Sequence, residues 1–176
     1  MTYELMSSAV EFAGKIFEVR VDRLKLPSGQ QMRFDYVVHS GAVAIVPFDE
    51  RGRIWFVKQY RHAVRRQLLE IPAGTLEADE PPEVCAAREC REEIGMAPGN
   101  LEPIGGFYPV PGYSSEYIHV FLATDLRPDP LPGDEDELLE VSQIDLEQVL
   151  EMLHSGEIND AKTLAAIAMA LPRTQR

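Results

Sequence analysis

What the chain lacks narrows it first. Lysine and arginine number 17 against 29 aspartates and glutamates, leaving a net charge of −12 and a pI near 4.7. Such a surface repels phosphate backbones, so nucleic acid is not the expected partner. A small phosphorylated ligand stays possible if metal ions or a local basic patch offset the repulsion. Long apolar runs are missing too. The uncharged stretch Tyr36 to Phe48 is too short for a bilayer and contains His39, and no signal segment is visible at the N-terminus. No membrane association is expected. Cysteine is scarce: only Cys85 and Cys90 occur. On one helix they would sit about 140° apart around its axis and could not easily pair. No CxxC or Cys/His cluster suggests zinc, and a reducing cytoplasm is the plain expectation.

At 176 residues, 45% apolar and 26% charged, the chain has the make-up of a folded protein with one core as the default. No internal repeat or domain-scale linker is visible. Alternating apolar residues predict strands over Lys15–Leu26 and Gln31–His39, separated by Pro27-Ser28-Gly29. Gly41–Phe48 reads as a buried strand, turned by Asp49-Glu50-Arg51-Gly52 into Arg53–Tyr60 as a hairpin. Leu68–Ile71 is a short strand ending at Pro72-Ala73-Gly74. An acidic cap at Asp79-Glu80, prolines at 81 and 82, and Gly95 bracket a helix. Strands near Leu101–Tyr108 and Glu116–Thr124 follow, around Pro109–Gly112. Asp125–Asp136 is an acidic, proline-rich loop, Leu138–Ile144 a last strand, and Leu146–His154 and Ala161–Leu171 helices split by Gly156. This order fits α+β better than an alternating parallel sheet.

The chemistry concentrates in Gly74–Met96. On a helical wheel started at Val84, Glu92, Glu89 and Glu93 fall near about 80°, 140° and 180°, and Ala87, Cys90 and Ile94 near about 300°, 240° and 280°. The reading is an acidic face opposite an apolar one that packs on the sheet. Arg88 can hold Glu92 by an i,i+4 contact, whereas Glu89 and Glu93 repel at the same spacing. Three clustered carboxylates suit a hard divalent cation such as Mg²⁺ or Mn²⁺. By itself a glutamate-rich helix face is more often simply solvated.

The complete spacing is more specific. Gly74, five residues, Glu80, seven residues, then Arg88-Glu89-Cys90-Arg91-Glu92-Glu93-Ile94-Gly95-Met96 resembles the Nudix box, GX5EX7REUXEEXGU with U bulky and apolar. All seven glycine or charged positions match; Cys90 is a small occupant of the first U position and Met96 fills the second. The resemblance implies an α/β/α sandwich with a mixed central sheet, and hydrolysis of a nucleoside diphosphate linked to another group. It implies metal binding by Glu89, Glu92, Glu93 and the Ala73 carbonyl, with Glu80 and Arg88 orienting the helix and Arg88 standing among the catalytic groups with Glu89 and Glu93.

Other positions are similar to the ADP-ribose pyrophosphatase branch. Pro111 lies sixteen residues beyond Gly95, close to a proline that marks that branch. Pro109-Val110-Pro111-Gly112-Tyr113-Ser114-Ser115-Glu116 resembles a loop that carries a catalytic glutamate, which makes Glu116 the expected general base or water-positioning group; the alternative is an ordinary polar residue at a strand start. Val57-Lys58-Gln59-Tyr60-Arg61 and Leu69-Glu70-Ile71-Pro72-Ala73-Gly74 resemble the branch's VxQYR and LExPAG segments. By that likeness Arg61 binds a phosphate or the terminal ribose and Glu70 accepts from a sugar hydroxyl. Arg65 and Arg66 add positive charge and are more simply read as solvated. Phe34 and Asp35 sit where related enzymes place an adenine-stacking aromatic and an acid, although an aromatic in a strand is more often core. The implied division is an N-terminal strand region over 1–40, exchanged in a homodimer, and a Nudix domain over 41–176, together one structural unit. The implied substrate is a nucleoside-diphosphate sugar: ADP-ribose, cleaved to AMP and ribose 5-phosphate, with GDP-mannose as the nearest alternative. A Nudix-fold module that binds ADP-ribose without cleaving it is the rival of another class, though such modules typically lose box acids.

Overall fold

A computed structural model describes residues 2–133 and 138–174. The chain divides into two compact units, Met1–Gly41 with Tyr108–Tyr117, and Ala42–Phe107 with Ile118–Arg176.

In the first unit, β1 (Glu4–Ala13), β2 (Phe17–Lys25) and β3 (Gln31–His39) form an antiparallel sheet in the order β1-β2-β3. The β2–β3 turn closes through the Leu26 amide on the Gln30 carbonyl at 2.8 Å, with Gly29 at φ +88, a left-handed conformation that favours glycine. Every residue of β1 is exposed, Leu5, Val10 and Phe12 included. Residues 108–117 are tied to β3: Val37 donates to the Tyr113 carbonyl at 2.8 Å, and Ser115 donates to the Val37 carbonyl at 2.9 Å.

The second unit is built around β4 (Ala42–Pro47), all of it buried. It pairs parallel with β10 (Ile118–Thr124) and antiparallel with β7 (Ala73–Thr75); β9 (Asn100–Phe107) completes a mixed sheet in the order β7-β4-β10-β9. Side chains alternate across a strand, and here both faces are apolar because both are covered. Ala42, Ala44 and Val46 join Ile118, Val120 and Leu122 in a cluster with Phe56, Val149, Ile158, Ala166 and Ile167. Val43 and Ile45 instead join Phe121 and Ala123 against Cys85, Ala86 and Cys90. The first cluster draws on β5 (Arg53–Arg61) and on α2 (Leu146–Ser155) and α3 (Ala161–Thr174); the second draws on α1 (Pro82–Glu93). The fold is thus a mixed α/β sandwich, as expected. A second, antiparallel sheet runs β12-β5-β6, with β6 spanning Arg66–Glu70 and β12 Glu140–Asp145. Among the described residues no helix is long and apolar enough to cross a membrane.

Three expectations change. The Asp49–Gly52 turn forms, with the Gly52 amide 3.0 Å from the Asp49 carbonyl, but β4 and β5 are not a hairpin. They belong to different sheets, and the residue after β4 pairs with β5 through an isolated bridge, Phe48↔Ile54. Both edges of β4 are already taken by β7 and β10, so β5 has no edge to join. The acidic cap of α1 is replaced by Pro81, which lacks a capping side chain; Glu80 is committed elsewhere. The Asp125–Asp136 loop contains a short strand, β11 (Arg127–Pro128), paired with β8 (Met96–Ala97). Its residues 134–136 lie outside the described residues.

Candidate active site

The site elements begin where β6 ends. The chain passes through Pro72, whose carbonyl accepts from the Ile45 amide at 2.9 Å, into β7 and then α1. Of Ala73-Gly74-Thr75 only Thr75 favours a strand; pairing to β4 makes the segment one. α1 lies on this strand, and its orientation corrects the wheel reading. Val84 is exposed, and the buried arc runs through Cys85, Glu89, Glu93, Ala86 and Cys90. Glu89 and Glu93, 8% and 5% exposed, therefore sit in the middle of the packed face rather than opposite it.

Two features admit those carboxylates. The Ala73 amide donates to Glu93 Oε2 at 3.0 Å. At Gly74, a Cβ would stand 1.8 Å from Glu89 Oε1, so only glycine leaves space for that side chain. The box glycine is required here by close approach.

Arg88 is shared among acids. Its Nε and Nη2 donate to the two oxygens of Glu80 at 2.9 and 3.0 Å, and its Nη1 donates to Glu89 at 2.7 Å and Glu92 at 2.8 Å. The Arg88 hydrogen bonds hold the Glu80 carboxyl down at about 2, against the opposing pull of burial. Burial, followed by the Glu80 charge, pushes the Cys85 thiol up to about 12, and burial does the same to Cys90, so neither is a nucleophile.

A second network has the opposite stoichiometry. Glu70 is fully buried, and its Oε1 and Oε2 accept from Arg61 Nε and Nη2 at 2.9 and 2.7 Å. Lys162, near the start of α3, also donates to Glu70 Oε2. Asp160 accepts from the Lys162 ammonium at 2.8 Å, the Thr163 amide at 3.0 Å and the Thr163 hydroxyl at 2.6 Å. Burial pushes the Asp160 carboxyl up, but Lys162 and Thr163 outweigh it and hold it below the ordinary range. Glu70, expected to accept from a sugar hydroxyl, has both oxygens engaged inside the protein, where they hold Arg61 and Lys162. Asp160 and Lys162 were missed in the sequence. The available signal was an aspartate immediately before an apolar helical pattern, followed by a cation in the first turn, where the helix dipole disfavours one.

Arg65 and Arg66 lie exposed near the β5–β6 turn, Arg65 at φ 53. Glu116 and Phe34 belong to the first unit. There the Glu116 amide donates to Ser114 Oγ at 3.1 Å, Phe34 is partly exposed on β3, and Asp35 is paired with Arg33 at 2.7 Å.

Among the described residues, no three His, Cys, Asp or Glu side chains converge closely enough to hold a metal ion. Glu89 and Glu92 are turned to Arg88. The donor chemistry nevertheless fits a hard cation: two buried carboxylates, Glu89 and Glu93, press on Ala73–Gly74, one in a space that a Cβ would fill.

Residues 38–167 match the model of the NUDIX domain. The chain is 42% identical over 158 residues to an ADP-ribose pyrophosphatase of Bacillus subtilis (strain 168), covering 89% of this chain and 85% of that protein. It is 35% identical over 134 residues to a GDP-mannose pyrophosphatase of Escherichia coli (strain K12), covering 71% and 70%. Its fold is similar to a solved structure of an ADP compounds hydrolase, with a TM-score of 0.89 at 21% identity over 99% of this chain and 95% of that one. With the box spacing, the sandwich and the family match in agreement, the chain belongs to the Nudix hydrolases.

Proposed function

We propose that this hydrolase cleaves the pyrophosphate of ADP-ribose, with water attacking one phosphorus and the bridging P–O bond breaking to give AMP and ribose 5-phosphate. The observation that carries this reading is the buried pair Glu89 and Glu93 at Ala73–Gly74, in one unit with an arginine whose free donors suit a phosphate. The Bacillus subtilis relative supports the choice of substrate.

Nudix hydrolases are generally dependent on a divalent metal; Mg²⁺ or Mn²⁺ is the cation proposed here, held by Glu89, Glu92, Glu93 and the Ala73 carbonyl. When bound, it supplies neutralisation of the diphosphate oxygens and a lowered pKa for the attacking water. The protein's own part is to arrange the groups. Gly74 admits Glu89, the Ala73 amide fixes Glu93, and Arg88 holds Glu89 and Glu92 while anchored to Glu80. Arg61, gripped along one edge by Glu70, offers its remaining N–H groups to the diphosphate or the terminal ribose.

The resemblance assigns Glu116 to activating or positioning the water, and Phe34 to adenine. Glu116→Gln should mainly depress kcat; a predominant rise in KM would make it a binding residue instead. A homodimer formed through the N-terminal strands is also proposed. Its support is the exposed Leu5, Val10 and Phe12 on β1, an edge strand, and light scattering in solution tests it. The proposed location is the cytoplasm.

Assays with ADP-ribose, GDP-mannose, NADH and diadenosine polyphosphates test the substrate. ADP-ribose should turn over fastest with Mg²⁺, and EDTA should abolish the reaction. Faster GDP-mannose cleavage would favour the second reading, supported by the Escherichia coli relative. Binding of ADP-ribose without product would indicate a sensor module, a role against which the complete set of box acids stands.

A further inference from the structure

We propose that Lys162 is a positioning residue for Arg61: its ammonium shares Glu70, so that Glu70 can orient the Arg61 guanidinium without leaving a net negative charge behind the diphosphate clamp. The inference rests on the reading of Arg61 as that clamp.

The arrangement is a chain of charge-assisted contacts from α3 to β5. Asp160 holds the Lys162 ammonium, Lys162 donates to Glu70, and Glu70 grips Arg61 through two parallel bonds. Its members differ in exposure as this role requires: the Glu70 side chain is 1% exposed, Lys162 13% and Arg61 41%. The alternating charges Asp160, Lys162, Glu70 and Arg61 cancel. Without Lys162, two carboxylates would face one guanidinium, and an anionic substrate would meet a net negative cluster.

Position argues that Lys162 serves Glu70 rather than the helix. A cation in the first turn opposes the helix dipole; the turn itself carries no acid, and Asp160 just before it offsets that cost while directing the ammonium towards Glu70. Burying its stem spends conformational freedom as well. The segment is also held in register with Glu70. Thr163 Oγ1 accepts from the amide of Ile71, the residue after Glu70, at 3.1 Å, while Asp160 anchors Thr163. A local rule is broken where its breach completes a network beside the reaction site.

The test is steady-state kinetics on ADP-ribose with excess Mg²⁺, with melting temperatures as the control for folding. Lys162→Met should raise KM about tenfold and leave kcat within about threefold, because uniform substrate attraction is lost. Lys162→Arg, which keeps the charge, should return KM to within about threefold of the wild type. A folded Lys162→Met enzyme with unchanged KM, or one that loses kcat alone, overturns the proposal. So does failure of Lys162→Arg to restore KM. If Lys162→Met does not fold, Lys162→Gln decides: it keeps a donor for Glu70 but not the charge, so a raised KM supports the proposal and an unchanged one refutes it. Arg61→Lys is measured in parallel. If it leaves KM unchanged, the clamp reading itself fails; if it raises KM while Lys162→Met does not, only the role of Lys162 falls.

Discussion

Two charge networks flank the same β-rich interior and are built in opposite senses. Around Arg88, one cation is divided among Glu80, Glu89 and Glu92; around Glu70, one carboxylate is divided between Arg61 and Lys162. The first is over-supplied with anionic oxygen, a condition a cation relieves. The second closes on itself through Asp160 and leaves Arg61 half-exposed, a condition an anion can exploit. The difference shows how a chain at −12 can hold a diphosphate: attraction is local, and each network fixes the sign of one part of the site.

The comparison can be broken most severely on the acidic side. Glu93→Gln should lower kcat about a thousandfold or more, since it removes an anionic oxygen that the cation needs. Stability should change little, because the amide oxygen can still accept from Ala73 and a like-charge contact with Glu89 is relieved. Calorimetry alongside kinetics checks both halves, and near-wild-type turnover would remove Glu93 from the metal site. Gly74→Ala tests geometry without touching charge. The new Cβ meets Glu89, whose displacement should cost about a hundredfold in kcat. A structure of the variant with Glu89 unmoved would defeat that explanation.

The smallest effect sharpens the comparison through pH. Glu80 is held at about 2, below its ordinary 4.5, so its stabilising contribution is complete above 4.5 and is lost as pH falls through about 2. Glu80→Gln should therefore be less stable than wild type near neutrality, and the gap measured by urea unfolding should shrink as the pH approaches 2. A gap that stays constant with pH would mean that the contact with Arg88 does not depend on the Glu80 charge.

The legibility of these features in the sequence depended on their reach. The box lies within one segment, so its spacing was readable from Gly74 to Met96, as were β2, β3 and the helices. The direction in which Glu89 and Glu93 point was not. Polarity normally marks the outer face of a helix, and here a functional demand reverses that rule. The partnership of Glu70 with Lys162 spans 92 positions and leaves no local periodicity. The β4–β5 hairpin failed for a related reason: a good turn dictates a reversal, but not which neighbour takes the strand edge. β7 was hidden because Ala73-Gly74-Thr75 is short, has only Thr75 to favour a strand and owes its form to β4.

That strand has one more consequence. With greasy side chains above and below, β4 gains no protection from polarity if it slides by one residue, because no charged group would be dragged inward. Bulk is what differs between its two flanks: Val43 and Ile45 face the box helix, whereas Ala42 and Ala44 join Val46 on the other side. Misalignment is thus opposed by volume, since a one-residue slide would turn the valine and isoleucine of one flank into the space that Ala42 and Ala44 leave on the other.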